Sequence, residues 1–199
     1  LCEQIRLATT GYVAKYINKR ISLPVSRVLA KLRISPNTIT VFNMFIGLCA
    51  GIGAAGRTYT GLLLGAILFQ LASIIDGCDG EVAKLTFRAS KFGQYIDTIS
   101  DNFALVSFFV GLTIHQWRVT DDLYAFVWGG ALLSGIGILL AIKMTYLKHN
   151  TNSFSLVTYD KEFIQKLPAS YPKTLIVFIR YGKFLLKKDC FSFMFLITG

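Results

Sequence analysis

The chain has 199 residues, of which 53% are hydrophobic and 16% charged, whereas soluble domains average about 25% charged. This excludes a disordered chain and leaves too few polar residues to cover a soluble globule, so an all-α, polytopic membrane protein is expected. The net charge of +10 would suit either a nucleic acid or a membrane face, and its placement decides between them.

In chain order, residues 7–33 interleave Val13, Tyr16, Ile17, Val25, Val28, Leu29 and Leu32 with Lys15, Lys19, Arg20, Arg27, Lys31 and Arg33. With Pro24 interrupting, this reads as one or two amphipathic helices on the membrane interface. Ser35-Pro36 then opens the first spanning segment, as N-cap and first helical residue. Four stretches reach the roughly 20 apolar residues that a crossing helix needs: 38–55, 59–76, 93–115 and 123–147. Residues 149–189 are too polar to span and are broken by Pro168 and Pro172, which predicts a cytoplasmic excursion with a short helix near 173–186. A fifth span begins near Cys190 and is cut off at Gly199. The bundle is expected to be a C-terminally incomplete part of a longer chain, with a juxtamembrane segment 1–36 and a membrane domain 37–199.

Gly47, Gly51, Gly61, Gly65, Gly135 and Gly137 fall inside these runs and predict close helix packing. Cys2, Cys49, Cys78 and Cys190 lack metal-ligand or disulfide spacing and read as packing residues. With residues 1–37 in the cytoplasm, 19 of the 21 basic residues fall on that side, against Arg57 and Arg118. This positive-inside bias sets the orientation and removes nucleic acid as a partner. Trp117 and Trp128 flank the far-side loop as an aromatic belt would. His115 and His149 fall on opposite faces and cannot pair.

Five of the eleven acidic residues lie between positions 76 and 101: Asp76, Asp79, Glu81, Asp97 and Asp101. Spacings of three and four place Asp76 with Asp79, and Asp97 with Asp101, on one face of each of two consecutive helices. Antiparallel spans bring both pairs to the same membrane end. Four converging carboxylates need a cation, and hard oxygen donors suit a divalent metal; pairing with local bases is the structural alternative. Carboxylates inside a membrane are costly and mark function by default. Glu81 reads equally as a surface or a site residue.

The order Asp-x-x-Asp-Gly-x-x-Ala-Arg-(eight residues)-Gly-x-x-x-Asp-x-x-x-Asp resembles the signature of the CDP-alcohol phosphotransferase (CDP-alcohol phosphatidyltransferase) family. It is matched at Asp76, Asp79, Gly80, Ala83, Gly93, Asp97 and Asp101, with Lys84 where the family has Arg. Lysine keeps the charge and loses the bidentate fork. The Ser-Pro-Asn-Thr opening and the preceding amphipathic helix also resemble the family, whose members have six spans. About four and a half would be present here.

The resemblance implies a reaction in which an acceptor hydroxyl attacks the β-phosphorus of a CDP-alcohol and CMP leaves. It implies Mg²⁺ or Mn²⁺, as two ions, on Asp76, Asp79, Asp97 and Asp101, with Asp101 as general base and Asp97 beside it. Gly80, Ala83, Lys84 and Gly93 would line the nucleotide. Asn37 and Thr40 would either contact the nucleotide or cap the helix, and Arg88 and Lys91 would either grip an anionic acceptor or serve as ordinary inside charges. The run Asp-Gly-Cys-Asp-Gly-Glu resembles the di-myo-inositol-phosphate phosphate synthase branch, whose CDP-alcohol is polar. That branch implies a fused or separate cytidylyltransferase domain, and the family implies a homodimer in the lipid bilayer. The rival readings are an intramembrane prenyltransferase, which needs a second Asp-rich motif, and a cation transporter, which needs carboxylates near the bilayer midplane.

Overall fold

The computed structural model describes residues 14–150 apart from Ala89, together with Met194. The expected excursion 149–189, beyond its first two residues, and the start of a fifth span lie outside the described residues. Every described element is helical. A π-helical turn, Ala14–Asn18, leads into α1 (Lys19–Lys31), followed by α2 (Pro36–Ala54), α3 (Tyr59–Leu85), α4 (Lys91–Thr120) and α5 (Tyr124–Asn150). Among the described residues, four stretches are long and apolar enough to cross a membrane: Pro36–Ala54, Tyr59–Leu85, Phe92–Thr120 and Tyr124–Ile142.

Hydroxyl side chains start three of these helices. Ser35, Thr58 and Ser90 are extended residues whose oxygens accept from the backbone amides of Thr38, Gly61 and Gly93, each cap contributing about 1 kcal/mol. Pro36 takes the first turn of α2, where its missing amide costs nothing. Three helix ends use non-glycine residues with positive φ: Arg33, Phe87 and Asp121. After Arg33 and Phe87 the next amide reaches back to the third-last helical residue, Ile34 to Leu29 and Arg88 to Ala83, which closes the terminal carbonyls.

Of the one or two helices expected around Pro24, a single one forms there: α1 runs through it, and the contacts of α1 with α3 offset the roughly 3 kcal/mol that a proline inside a helix costs. One expectation is corrected. The second span does not stop at Asp76. α3 continues nine residues further, through Gly77 and Gly80, to Leu85. Glycine lowers helix propensity by about 1 kcal/mol, and packing of this stretch against α1 and α2 offsets that loss.

α2 packs along both α3 and α4, α1 lies against α3, and α5 touches α4. Small residues permit the close approach. A Cβ on Gly47 would lie 2.5 Å from Ala104 Cβ, and one on Gly65 2.5 Å from the Ala54 nitrogen. Gly51 faces Ser107, Gly111 faces the Gly51 carbonyl, and Gly61 sits 3.1 Å from the Gly53 oxygen by the same construction. Gly135 and Gly137 do not follow: a Cβ on either meets open space, since α5 is exposed along its apolar length. Ala50, Ala54, Ala66, Phe69 and Phe108 form the central core, with Phe69 and Phe108 stacked at 4.3 Å.

Candidate active site

The signature's spacing becomes a surface once it is wound at 100° per residue. Asp76, Asp79, Gly80 and Ala83 then share one face of α3, while Gly77, Cys78 and Glu81 share the opposite one. The first face looks toward α2 and α4. Asp79 is only 3% exposed and is held on two sides. Thr40 Oγ1 of α2 donates to its Oδ2 at 2.6 Å, and the Gly80 amide donates to its Oδ1 at 2.6 Å. From α4, Asp97 stands within hydrogen-bonding reach of this carboxyl, and Asp101 is close enough to act on it through its charge. Asp79 of α3 is thus the acidic residue that Asp97 and Asp101 of α4 approach.

Asp76, half-buried one turn earlier, accepts from Asn43 Nδ2 of α2 at 3.3 Å. Asn43 is fully buried, and its Oδ1 has no hydrogen-bond donor among the described residues. Asp79 and Asp97 bring carboxyl oxygens together, the buried Asn43 Oδ1 adds an acceptor beside Asp76, and oxygen donors of this kind fit a hard divalent cation. Among the described residues no three His, Cys, Asp or Glu side chains form a ready-made cage.

Depth follows from helix rise. Asp76 stands seventeen residues after Tyr59, about 26 Å along the axis, and Asp101 nineteen before Thr120, about 29 Å. The hydrocarbon core is ~30 Å thick, so the carboxylates sit at one end of the bundle and not at its middle.

The other residues singled out in the sequence separate into groups. Gly93 opens α4 with its amide on Ser90 Oγ at 2.9 Å, and a Cβ there would stand 3.5 Å from Asn37 Oδ1 and 3.1 Å from Ser90 Oγ. Gly93 and Asn37 thus meet at the rim. Gly80 is exposed, with open space where a Cβ would go. Ala83 is half-buried, and Lys84 and Arg88 are exposed at the same end. The side chain of Lys91 lies outside the described residues.

Thr40 does not cap its helix; Ser35 does that. Instead Thr40 is buried, bridging Asp79 and the Pro36 carbonyl, and Ser100 Oγ of α4 donates to its backbone oxygen at 3.3 Å. Glu81 is no surface residue: it is 1% exposed and bound to Lys19, Ser22 and Ser26 of α1. Asn43 went unread in the sequence. A polar amide inside an apolar span, eight residues after the Ser35 cap, was the available signal.

At the opposite end, Arg57 Nε donates to the Arg118 carbonyl and Arg118 Nη1 to the Ala55 carbonyl, both at 2.9 Å. His115 Nδ1 meets the Gly56 oxygen at 2.5 Å. These groups tie loops and helix ends together, far from the carboxylates. Trp117 packs on Phe126 at 5.4 Å, and Trp128 is exposed.

Fold and site define an integral membrane protein with carboxylates gathered at one end of its helix bundle. The chain belongs to the CDP-alcohol phosphatidyltransferase family, which it matches over residues 33–197. A bifunctional IPC transferase and DIPP synthase of Thermococcus kodakarensis is 36% identical over 130 residues, 65% of this chain and 28% of that protein. The protein of the same name in Aquifex aeolicus is 30% identical over 127 residues, 62% and 28% of the two chains. The archaetidylinositol phosphate synthase of Pyrococcus horikoshii is 28% identical over 110 residues, 52% and 57%. The chain thus spans under a third of the first two relatives. The family uses a CDP-alcohol and an alcohol acceptor and is generally dependent on a divalent metal. Neither the prenyltransferase nor the transporter reading is favoured by this membership.

Proposed function

We propose that the protein transfers the phosphoalcohol group of a CDP-alcohol to an acceptor hydroxyl, releasing CMP, with Mg²⁺ or Mn²⁺ at the four aspartates. The single observation that supports this best is the approach of Asp97 of α4 to Asp79 of α3, with Asp101 near enough to act on Asp79 through its charge. Mg²⁺ commonly binds through one or two carboxylates plus substrate phosphates, which suits a pair of carboxyls without a complete cage. Two ions would share Asp76, Asp79, Asp97 and Asp101. When bound, they supply the charge neutralisation that the diphosphate and the departing CMP require.

The chain's own residues do the rest. Asp101 takes the proton from the acceptor hydroxyl as its oxygen bonds to the β-phosphorus and the bond to CMP breaks. Thr40 and the Gly80 amide hold Asp79 in place, and Asn43 holds Asp76. The open face of Gly80, with Ala83 beside it, leaves room for the nucleotide, bordered by Asn37 and Gly93. Lys84 answers the phosphates as a point charge, and Arg88 and Lys91 draw in an anionic acceptor. The site faces the cytoplasm, as the basic bias requires. The bifunctional relatives support a polar CDP-alcohol of the inositol type and a cytidylyltransferase, fused or separate, that supplies it. The protein works as a homodimer, with residues 1–36 as juxtamembrane segment and 37–199 as membrane domain.

The test is CMP release from CDP-inositol and from CDP-diacylglycerol across a panel of alcohols. Activity with CDP-inositol, lost in EDTA and restored by Mg²⁺ or Mn²⁺, is expected. Activity that persists in chelator contradicts the metal assignment, and preference for CDP-diacylglycerol contradicts the polar donor.

A further inference from the structure

The face of α3 that carries no site residue is the more unusual one. Glu81 lies within the signature, two residues after Asp79, yet its carboxylate points away from the other acids into α1. Its Oε1 accepts from Lys19 Nζ at 2.5 Å and Ser22 Oγ at 2.7 Å, and its Oε2 from Ser26 Oγ at 2.6 Å. Lys19, Ser22 and Ser26 share one face of α1, at spacings of three and four. One turn toward the membrane, Asn18 Nδ2 meets Ser73 Oγ at 3.4 Å, and Gln70 Nε2 donates to Asn18 Oδ1 at 3.0 Å. Gly77 lies between these ties, where a Cβ would come 3.4 Å from Lys19 Nζ. The remaining face of α1 exposes Ile21, Val25, Val28 and Leu32.

We infer that Glu81 is a positioning residue: clamped by Lys19, Ser22 and Ser26, it fixes the rotation of α3 about its axis and so aims Asp76 and Asp79 into the site. The inference rests on the function proposed above. In lipid the hydrophobic effect does not hold one helix to another, and polar pairs take over that task. A buried carboxylate with one ammonium and two hydroxyl donors is such a tie, and losing one partner leaves a buried charge uncompensated. Because Glu81 and Asp79 project from nearly opposite faces of one rigid helix, a turn that relaxes the first displaces the second. A displacement of about 1 Å at a reacting centre costs on the order of 100-fold in rate.

The test uses the full chain in detergent, with two readouts: steady-state CMP release and Mn²⁺ affinity from the electron paramagnetic resonance signal of free Mn²⁺. Glu81→Gln keeps the shape and is expected to lower kcat by roughly 10-fold or more, leave KM for the CDP-alcohol within a few-fold, and weaken Mn²⁺ binding. Lys19→Met should match it, the double variant should be no worse than either single one, and Lys19→Arg should restore most activity. Ser26→Ala, which removes one hydroxyl, should move both readouts the same way by less, should Glu81→Gln fail to fold. Wild-type kcat and Mn²⁺ affinity in folded Glu81→Gln or Ser26→Ala, or losses that multiply in the double variant, overturn the inference. If the wild type binds Mn²⁺ but releases no CMP from any donor, the proposed reaction fails, while the Mn²⁺ comparison still decides the clamp.

Discussion

The two ends of the α2–α4 bundle are built from the same three helices by opposite means. Toward the Arg57 end, the interior holds Gly51, Gly65 and Gly111, Ala50 and Ala54, and the stacked rings of Phe69 and Phe108. Toward the Asp79 end, the same helices bury Thr40, Asn43, Asp79, Glu81 and Ser100. One half is held by van der Waals packing of small residues. The other spends its interior on groups whose burial costs energy unless each finds a partner. Stability and chemistry are thus divided along the length of the helices, and substitutions should separate them.

The largest effect is expected at the polar end. Asp79→Asn and Asp101→Asn should each cut CMP release by about 1000-fold, with thermal unfolding in detergent close to wild type. Substantial turnover in either would remove that residue from the mechanism. At the packed end, Gly65→Leu must displace the Ala54 and Ala50 backbone, and overpacking of this kind costs about 1–3 kcal/mol. Its melting temperature should fall, while activity per folded molecule stays near wild type; an activity loss without a stability loss would blur the division.

Thr40→Val is a finer probe. It removes the hydroxyl that donates to Asp79 while keeping the shape, and a hydrogen bond to a charged group is worth about 1.5–3 kcal/mol. A drop in kcat of at least about 10-fold is expected, with an unfolding loss no larger than about 3 kcal/mol, the most that bond is worth. The smallest effect belongs to Gly135→Ala on α5, where a Cβ meets open space. Unfolding should shift by less than about 0.5 kcal/mol, and a larger loss would mean that another surface covers this helix.

These contrasts also show what a linear reading reaches. The four spans and their starts were legible because apolar length and the hydroxyl caps are local signals. The acidic pairs were legible because spacings of three and four survive in any helix. Three things were not. The reach of α3 to Leu85 depends on contacts with α1 and α2 that outweigh two glycines, and no local rule contains those contacts. The bond from Thr40 to Asp79 was out of reach because a hydroxyl near a helix start serves equally as cap or as tertiary donor, and only the structure shows that Ser35 meets the local need. Glu81 was ambiguous because its partners lie 55 to 62 positions earlier, although Lys19, Ser22 and Ser26 already fell on one helical face. Gly135 and Gly137 erred the other way: a small-residue pattern predicts close packing only where a neighbouring helix exists to meet it.

The central claim is best tested by anomalous diffraction from crystals of the protein grown with Mn²⁺ and CDP. Anomalous peaks bounded by Asp76, Asp79, Asp97 and Asp101, with the diphosphate against them and the base over Gly80, are predicted. Those four carboxylates engaged by lysine and arginine side chains, with Mn²⁺ bound elsewhere or not at all, would contradict the account.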